Sequence, residues 1–371
     1  MTRSSASSTA TQNLVAVALV GLAACGYVPG RALPYTLRGV PGPEGPTLQP
    51  EGHSVRYTAI AALGLGRQPE NVQREVLGGQ TAADMARSCL TLAASSTDPG
   101  AHALALWAAA EVAGATDHAL AARLLDAVRR PSLATVDCAW AVVAGLAMPE
   151  GATATRIAEE AVMRLRTEQG PHGTFPHAVP PSGRLRGHVG SFADQIYPVQ
   201  AFARFYARTG EERVLAAAEA TARRLVELQG EGGQWWWHYD ARTGDVVERY
   251  PTYSVHQHGM APMVLDELTA AGGTDHSEAV QRGYRWLTTH PECVEPLVAP
   301  ELGVIWRKVG RREPFKAARA AGALVSRVRP GAQTPFVDQV LPAGRVDYEC
   351  RPYELGWLLY ASGAMHEGSA A

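Results

Sequence analysis

Residues 229–235, Gln-Gly-Glu-Gly-Gly-Gln-Trp, repeat in outline the phrase at residues 169–175, Gln-Gly-Pro-His-Gly-Thr-Phe, sixty residues earlier. Each copy has Gln first, Gly fifth and an aromatic seventh, and each follows a helix-patterned run containing Arg-Leu. A second echo pairs Ala113-Gly-Ala-Thr-Asp-His with Ala271-Gly-Gly-Thr-Asp-His, both Gly turns with a Thr-Asp cap ahead of an amphipathic helix. Recurring units of this kind imply stacked helical hairpins that share one core.

Outward from these repeats, two helix populations separate. Helices expected near Ser54, Ala101, Leu133, Ser191, Ser254 and Pro352 are rich in Ala, Val, Leu and aromatics, with few charges in mid-helix. Those near Thr81, Asp117, Thr153, Glu211, Ser277 and Pro314 carry Arg and Glu stripes at helical spacing. Helices apolar all round are buried, and striped ones face solvent. Six of each in rough alternation describe an all-α (α/α)6 toroid in a single domain over residues 13–371, after a disordered stretch at 1–12. The inner helices of such a ring run parallel, so their N-termini gather at one rim.

The thirty residues from Gln229 to His258 hold three consecutive tryptophans and six His or Tyr side chains. Such a mixture suits a wet, aromatic-walled pocket. The alternating run ending at Asp240, a Thr-Gly-Asp turn and the run Val246–Tyr250 read as a β-hairpin at the pocket rim. Ser254-Val-His-Gln257 then reads as a capping box that starts the next helix.

A net charge of −2 leaves no basic face for nucleic acid. The five cysteines, Cys25, Cys89, Cys138, Cys293 and Cys350, show neither metal spacing nor a disulfide framework and read as free thiols. The apolar segment after residue 13 is too short for a stable membrane span. It reads as the first helix of a cytoplasmic protein. The alternative is an exported lipoprotein cleaved at the Leu22-Ala-Ala-Cys25 box.

The Gln-x-x-x-Gly-x-aromatic copies resemble the repeats of terpenoid cyclase and prenyltransferase toroids, which implies fold and not activity. The proton-donating box of that family has its nearest match at Thr135-Val-Asp137-Cys138, without the acidic neighbours. The segment GGQWWWHYD…RYPTYSVHQHGM is similar to uronyl C5-epimerases, and the toroidal polysaccharide lyases use a related set of Tyr, His and Arg. That likeness implies Tyr239, Tyr250, Tyr253 and His256 in an active site.

From the residues themselves, Tyr250, Tyr253, His256 and His258 are candidates to abstract a proton α to a carboxylate. Asp194 and Glu349 are the further catalytic candidates, and a distant pair such as Glu349 with Asp240 or Asp194 would serve hydrolysis. Asp194 also stands at capping-box spacing from Ser191. Trp235 and Trp237 are candidate sugar platforms. Arg56, Tyr57, Tyr197, Tyr239, Arg249, Arg351 and Tyr353 complete the expected substrate-binding set. No cofactor and no metal are expected, since His256-x-His258 lacks a third ligand. These features read as a carbohydrate-active enzyme on an acidic or polymeric glycan, working by epimerase- or lyase-type proton abstraction or by glycoside hydrolysis on an oligosaccharide or smaller substrate. The alternatives are a divergent terpene or prenyl-type cyclase with Asp137 as proton donor, and a non-catalytic glycan-binding toroid.

Overall fold

The computed structural model describes residues 5–43, 45–290, 292, 295–311, 317–332 and 337–367. In chain order its helices are α1 (Ser5–Ala24), α2 (Val55–Leu65), α3 (Glu70–Val76), α4 (Ala82–Ala94), α5 (Pro99–Ala113), α6 (His118–Val128), α7 (Thr135–Ala147) and α8 (Ala152–Glu168). They continue with α9 (Phe192–Thr209), α10 (Glu212–Glu227), α11 (Ala261–Ala270, entered through a π-turn at His256–Met260), α12 (Ser277–Thr289), α13 (Ala317–Val328), α14 (Val337–Val340) and α15 (Pro352–Glu367). Helices α2, α5, α7, α9, α11 and α15 form the inner ring, each packed on the next, and α15 against α2 closes it. The architecture is the (α/α)6 toroid.

Composition explains which helices went inside. Along α5, every residue from Gly100 to Ala109 is buried, because Ala, Leu and Trp107 present an apolar surface in all directions. In α10 only Val214, Ala218, Thr221, Ala222 and Leu225 are buried, one stripe of an otherwise charged helix.

The sixth outer helix is α1 and not the helix expected near Pro314. Val17, Ala18 and Leu22 bury one face of α1, which packs on α15. Gly21 admits the chain at Gly303, where a Cβ would lie 2.1 Å from a carbonyl oxygen. The helix begins at Ser5, inside the stretch expected to be disordered. Leu22 and Cys25 are therefore core residues of the ring. Pro314 itself lies outside the described residues, and α13 sits against the rim. Among the described residues no helix is long and apolar enough to cross a membrane. Cys25, Cys89, Cys138 and Cys350 are free and buried, and Cys293 lies outside the described residues.

Short strands stitch the rim in a repeating way. The strand that leads into an inner helix pairs with the strand that follows the next outer helix. So β3 (Leu133–Ala134) pairs with β4 (Ala178–Val179), and β5 (Val189–Ser191) with β6 (His238–Asp240). Strand β8 (Thr252–Tyr253) pairs with β11 (Lys308–Arg311), and β13 (Glu349–Cys350) with β1 (Thr36–Val40), which joins the two ends of the chain. Strand β7 (Val246–Glu248) completes the expected hairpin with β6. The remaining strands are β2 (Thr47–Glu51), β9 (Val298–Ala299), β10 (Val304–Ile305) and β12 (Ala343–Asp347).

The two copies of the opening phrase do one structural job twice. The Gln169 side chain donates to the carbonyl oxygens of Gly173 and Ala217, and Gln229 to those of Gly233 and Ala279, tying each turn to the following outer helix. Gly173 and Gly233 have φ of +84° and +96°. Phe175 and Trp235 are buried, and their backbone N–H groups donate to Gln195 and Gln257. At the opposite end of the ring Arg204 is held by Glu267 at 2.6 Å and by the Tyr360 hydroxyl at 2.7 Å, closing the axis there.

Candidate active site

The rim gathers the N-termini of all six inner helices around one mouth. On one side Arg56, in the first turn of α2, reaches across to α5 and α7. It bonds the α5 cap residue Asp98 in bidentate fashion through its Nε–Nη2 edge, with one contact at 2.6 Å, and its Nη1 lies 2.8 Å from Asp137 Oδ1 in α7. Gly100 makes this crossing feasible, because a Cβ there would stand 2.3 Å from Asp137 Oδ1 and 2.4 Å from Arg56 Cζ. The two carboxyls are driven apart in acidity. Burial raises the pKa of Asp137 above the ordinary aspartate value in spite of Arg56. Asp98 is more exposed; its burial is outweighed by its bonds to Arg56 and to the α5 backbone, which lower its pKa. Trp140 and Tyr197 wall this corner, with ring centroids 5.0 Å apart and Arg56 over the Trp140 ring.

Asp194 is completely buried and forms a full capping box with Ser191, and its Oδ2 also lies 3.1 Å from His177 Nδ1. Oδ2 of that carboxylate thus caps the helix and meets His177, read from sequence as a loop residue, while its Oδ1 is buried with no hydrogen-bond partner among the described residues. The hairpin supplies the next wall. His238 Nδ1 is 3.0 Å from Glu248 Oε2, and burial pushes Glu248 up to about 7. Trp237 has His238 stacked 3.9 Å away and the Arg319 guanidinium 4.0 Å over its ring. Both contacts occupy the Trp237 rings, which are thus taken by protein groups rather than free to stack on a sugar. Trp235 is a core residue against Phe192, and Tyr239 is likewise buried in the core.

Tyr253 and His256 come together beside Trp237, with ring centroids 5.1 Å apart and Arg307 over the Tyr253 ring at 4.8 Å. Burial pushes His256 down to about 3, so its ring is neutral. Ser254 and Gln257 do not form the expected capping box. The Ser254 hydroxyl donates to the Arg307 carbonyl, and the Gln257 side chain is taken by the Trp235 and Tyr253 backbones. The helix opens as a π-turn instead, in which His258 is completely buried. Tyr250 and Arg249 lie behind the hairpin, on the edge and face of Trp236. The third wall is Arg351, which donates to the Tyr57 hydroxyl at 3.0 Å, with Tyr353 4.6 Å from Tyr57. Glu354 is completely buried and burial lifts it to about 7, opposed by Arg307 and Arg351. Glu349 is tied to Arg38 at 3.1 Å and to Arg307 and Arg351 at 3.6 Å each, an ion cluster that closes the ring rather than an isolated acid. Asp240, its suggested partner, is bound by Arg242 at 2.8 Å.

The structure thus assembles Arg56, Tyr57, Tyr197, Trp237, Tyr253, His256, Arg351 and Tyr353 at the mouth, and sets Trp235, Tyr239, Arg249, Tyr250 and His258 apart from it. Asp98, Trp140, Arg186, His238, Glu248, Arg307 and Arg319 were not singled out from the sequence. Asp98 had a signal, since Thr-Asp98-Pro-Gly ahead of an apolar run is a helix start. A groove of about 590 Å³ runs beside the hairpin, lined in part by Pro176, Arg184, His188, Arg242 and Arg327.

No protein-family model matches the chain, and no curated protein matches it in sequence. Its fold is shared with solved carbohydrate-active enzymes. An unsaturated glucuronyl hydrolase specific for heparin superposes with a TM-score of 0.59 at 14% identity, over 98% of both chains. The unsaturated glucuronyl hydrolase of Bacillus sp. GL1, described as responsible for glycosaminoglycan degradation, gives 0.56 at 13% identity over 98% of this chain and 97% of its own. A polysaccharide lyase gives 0.54 at 9% identity over 85% of this chain and 91% of its own.

Proposed function

We propose that the chain is a glycoside hydrolase of acidic oligosaccharides, with Asp137 as its general acid. The observation that carries this is the Asp98–Arg56–Asp137 bridge, in which two neighbouring carboxyls have their acidities moved in opposite directions at the mouth of the toroid. Such a divergence assigns acid and base. A protonated Asp137 can donate to the leaving glycosidic oxygen, or to the carbon of an enol ether in an unsaturated uronide. Either transfer leaves an oxocarbenium ion. Water attacks it, and ionised Asp98 accepts the proton that the water gives up. The neighbours' names, which speak of glucuronyl and glycosaminoglycan substrates, agree with the arginines Arg56, Arg307, Arg319 and Arg351 around the site.

A second reading, elimination or C5 epimerisation, is supported by the neutral His256 beside Tyr253 and Arg307. A cyclase would also use Asp137, but a lining of Tyr, His, Arg and carboxylates favours a polar ligand. One assay series separates the readings. Hydrolysis of an unsaturated uronyl disaccharide destroys the conjugated ultraviolet chromophore, elimination on a saturated glycuronan creates it, and epimerisation takes up deuterium from the solvent with no change in absorbance. We expect loss of the chromophore, and Asp137→Asn should slow it about 10²–10⁴-fold. An Asn variant as fast as wild type sinks the assignment of Asp137, and a gain of absorbance sinks hydrolysis.

A further inference from the structure

Helix α13 lies over the hairpin strand β7 and carries Arg319 into the mouth. Its moorings to the rim are polar. Arg186 donates to the Arg319 carbonyl oxygen at 3.0 Å and Arg242 to that of Ser326 at 2.7 Å. The Ser326 hydroxyl lies 2.8 Å from His188 Nε2, and Arg327 donates to the Arg184 carbonyl at 2.7 Å. Leu324 and Val328 on the same helix face solvent. Four bonds from two rim segments, residues 184–188 and Arg242, thus set the height of one side chain over Trp237.

The Arg319 guanidinium lies over Trp237 at 4.0 Å, His238 stacks on the same tryptophan at 3.9 Å, and Arg186 Nη2 is 3.4 Å from both ring nitrogens of His238. Arg319, Trp237, His238 and Arg186 form one continuous chain of contacts. Two cations belong to it, and among the described residues the carboxylate nearest to Arg319 is Glu248, at 3.9 Å, beyond hydrogen-bond reach. Arg319 Nε is buried with no hydrogen-bond partner among the described residues, yet 26% of the side chain is exposed. Burial, which also favours the protonated form of Glu248, weakens that counter-ion further. A guanidinium held over an aromatic ring, partly exposed and bonded to no carboxylate among the described residues, presents a fork for a bidentate oxyanion.

We propose that Arg319 is a specificity-determining residue, delivered by α13 and seated on Trp237, that binds an anionic substituent, carboxylate or sulfate ester, of the sugar in the mouth. Its ligand class rests on the acidic-glycan reading above, but binding of a monosaccharide needs no turnover, so the two stand or fall on different measurements.

The test is calorimetric titration of the whole protein with glucuronate, glucose 6-sulfate and glucose, using wild type, Arg319→Gln and Arg319→Lys. Wild type should bind one or both of the anionic sugars more tightly than glucose, and which of them it prefers identifies the substituent. Arg319→Gln should weaken that binding about 10- to 100-fold while leaving glucose unchanged. Arg319→Lys should recover only part, because an ammonium is a point charge without the fork. Unfolding temperature tracks each variant; should the Gln variant not fold, the Lys variant decides alone. Equal binding by wild type and variants, or no preference of wild type for the anionic sugars over glucose, overturns the proposal.

Discussion

Replacing Arg56 by Met tests the central bridge most directly. The substitution keeps an unbranched apolar stem and removes the cation that Asp137, with 8% of its side chain exposed, has as its ion-pair partner. Breaking a buried pair by deleting one partner costs about 3–5 kcal/mol. Arg56 is 29% exposed, however, and its other partner Asp98 is 37% exposed, so that half of the bridge contributes no more than a surface pair. A net loss of about 2–3 kcal/mol is expected. With an unfolding entropy of roughly 2.1 cal/mol/K per residue over 371 residues, each kcal/mol lowers Tm by roughly 1.3 °C, or roughly 3–4 °C in all. The pH dependence has a definite sign. Asp137 has a raised pKa in the fold, so its contribution is present below the unfolded aspartate value and is lost as pH rises through the folded one. Without Arg56 the folded value rises further, and the deficit of the variant must grow from acid to neutral pH. Asp137→Asn in the same chain should return much of the loss, because no charge is then left buried. Differential scanning calorimetry at acidic and neutral pH on the two single variants and the double variant reads all of this. A deficit that is the same at every pH and is not relieved by Asn at 137 would refute the account of the bridge.

Two further outcomes can be checked on stability alone. Gly233→Ala should destabilise the fold by about 2–4 kcal/mol, since φ is +96° and the new Cβ would stand 2.1 Å from the Arg282 carbonyl oxygen; a shift in Tm below one degree would contradict it. Glu248→Gln should flatten the pH dependence of stability. Burial lifts Glu248 to about 7, so its favourable contribution is held below the unfolded glutamate value and lost as pH rises through about 7; Tm profiles of wild type and variant that stay parallel from pH 5 to 8 would show that Glu248 does not titrate there.

Much of the architecture was legible because it is written in local pattern. Inner helices announce themselves by Ala, Val and Leu on every face, outer ones by charged stripes, and the capping residues Ser54, Thr81, Asp117 and Ser191 mark where helices begin. Asp194 was legible in the same way, as a cap. The misplaced sixth outer helix has the opposite cause. Residues 14–24 are so uniformly apolar that they fit an export segment as well as a helix, and the choice depends on α15, more than three hundred residues away.

The site was legible in outline and not in membership. His256 and His258 are two residues apart on paper and equally polar, but in the π-turn one lies against Phe192 and Tyr253 and the other is completely buried. The three tryptophans at 235–237 look alike in sequence. Trp235 fills the core, Trp236 backs the hairpin and Trp237 holds Arg319, a contact that exists only because α13 folds over the rim.

The amino-acid sequence by itself marked most of the helices with their inner or outer rank, the tandem Gln–Gly–aromatic turns and the hairpin, since each is patterned over a few turns of chain. Tertiary structure alone decided that Arg56, Asp98 and Asp137 meet, that Gly100 leaves them room, and that the two carboxyls part in acidity. The reason is physical: pKa values and ion pairs depend on distance and desolvation through space, and a ring closed by its first and last helices brings together groups whose separation along the chain carries no trace of that meeting.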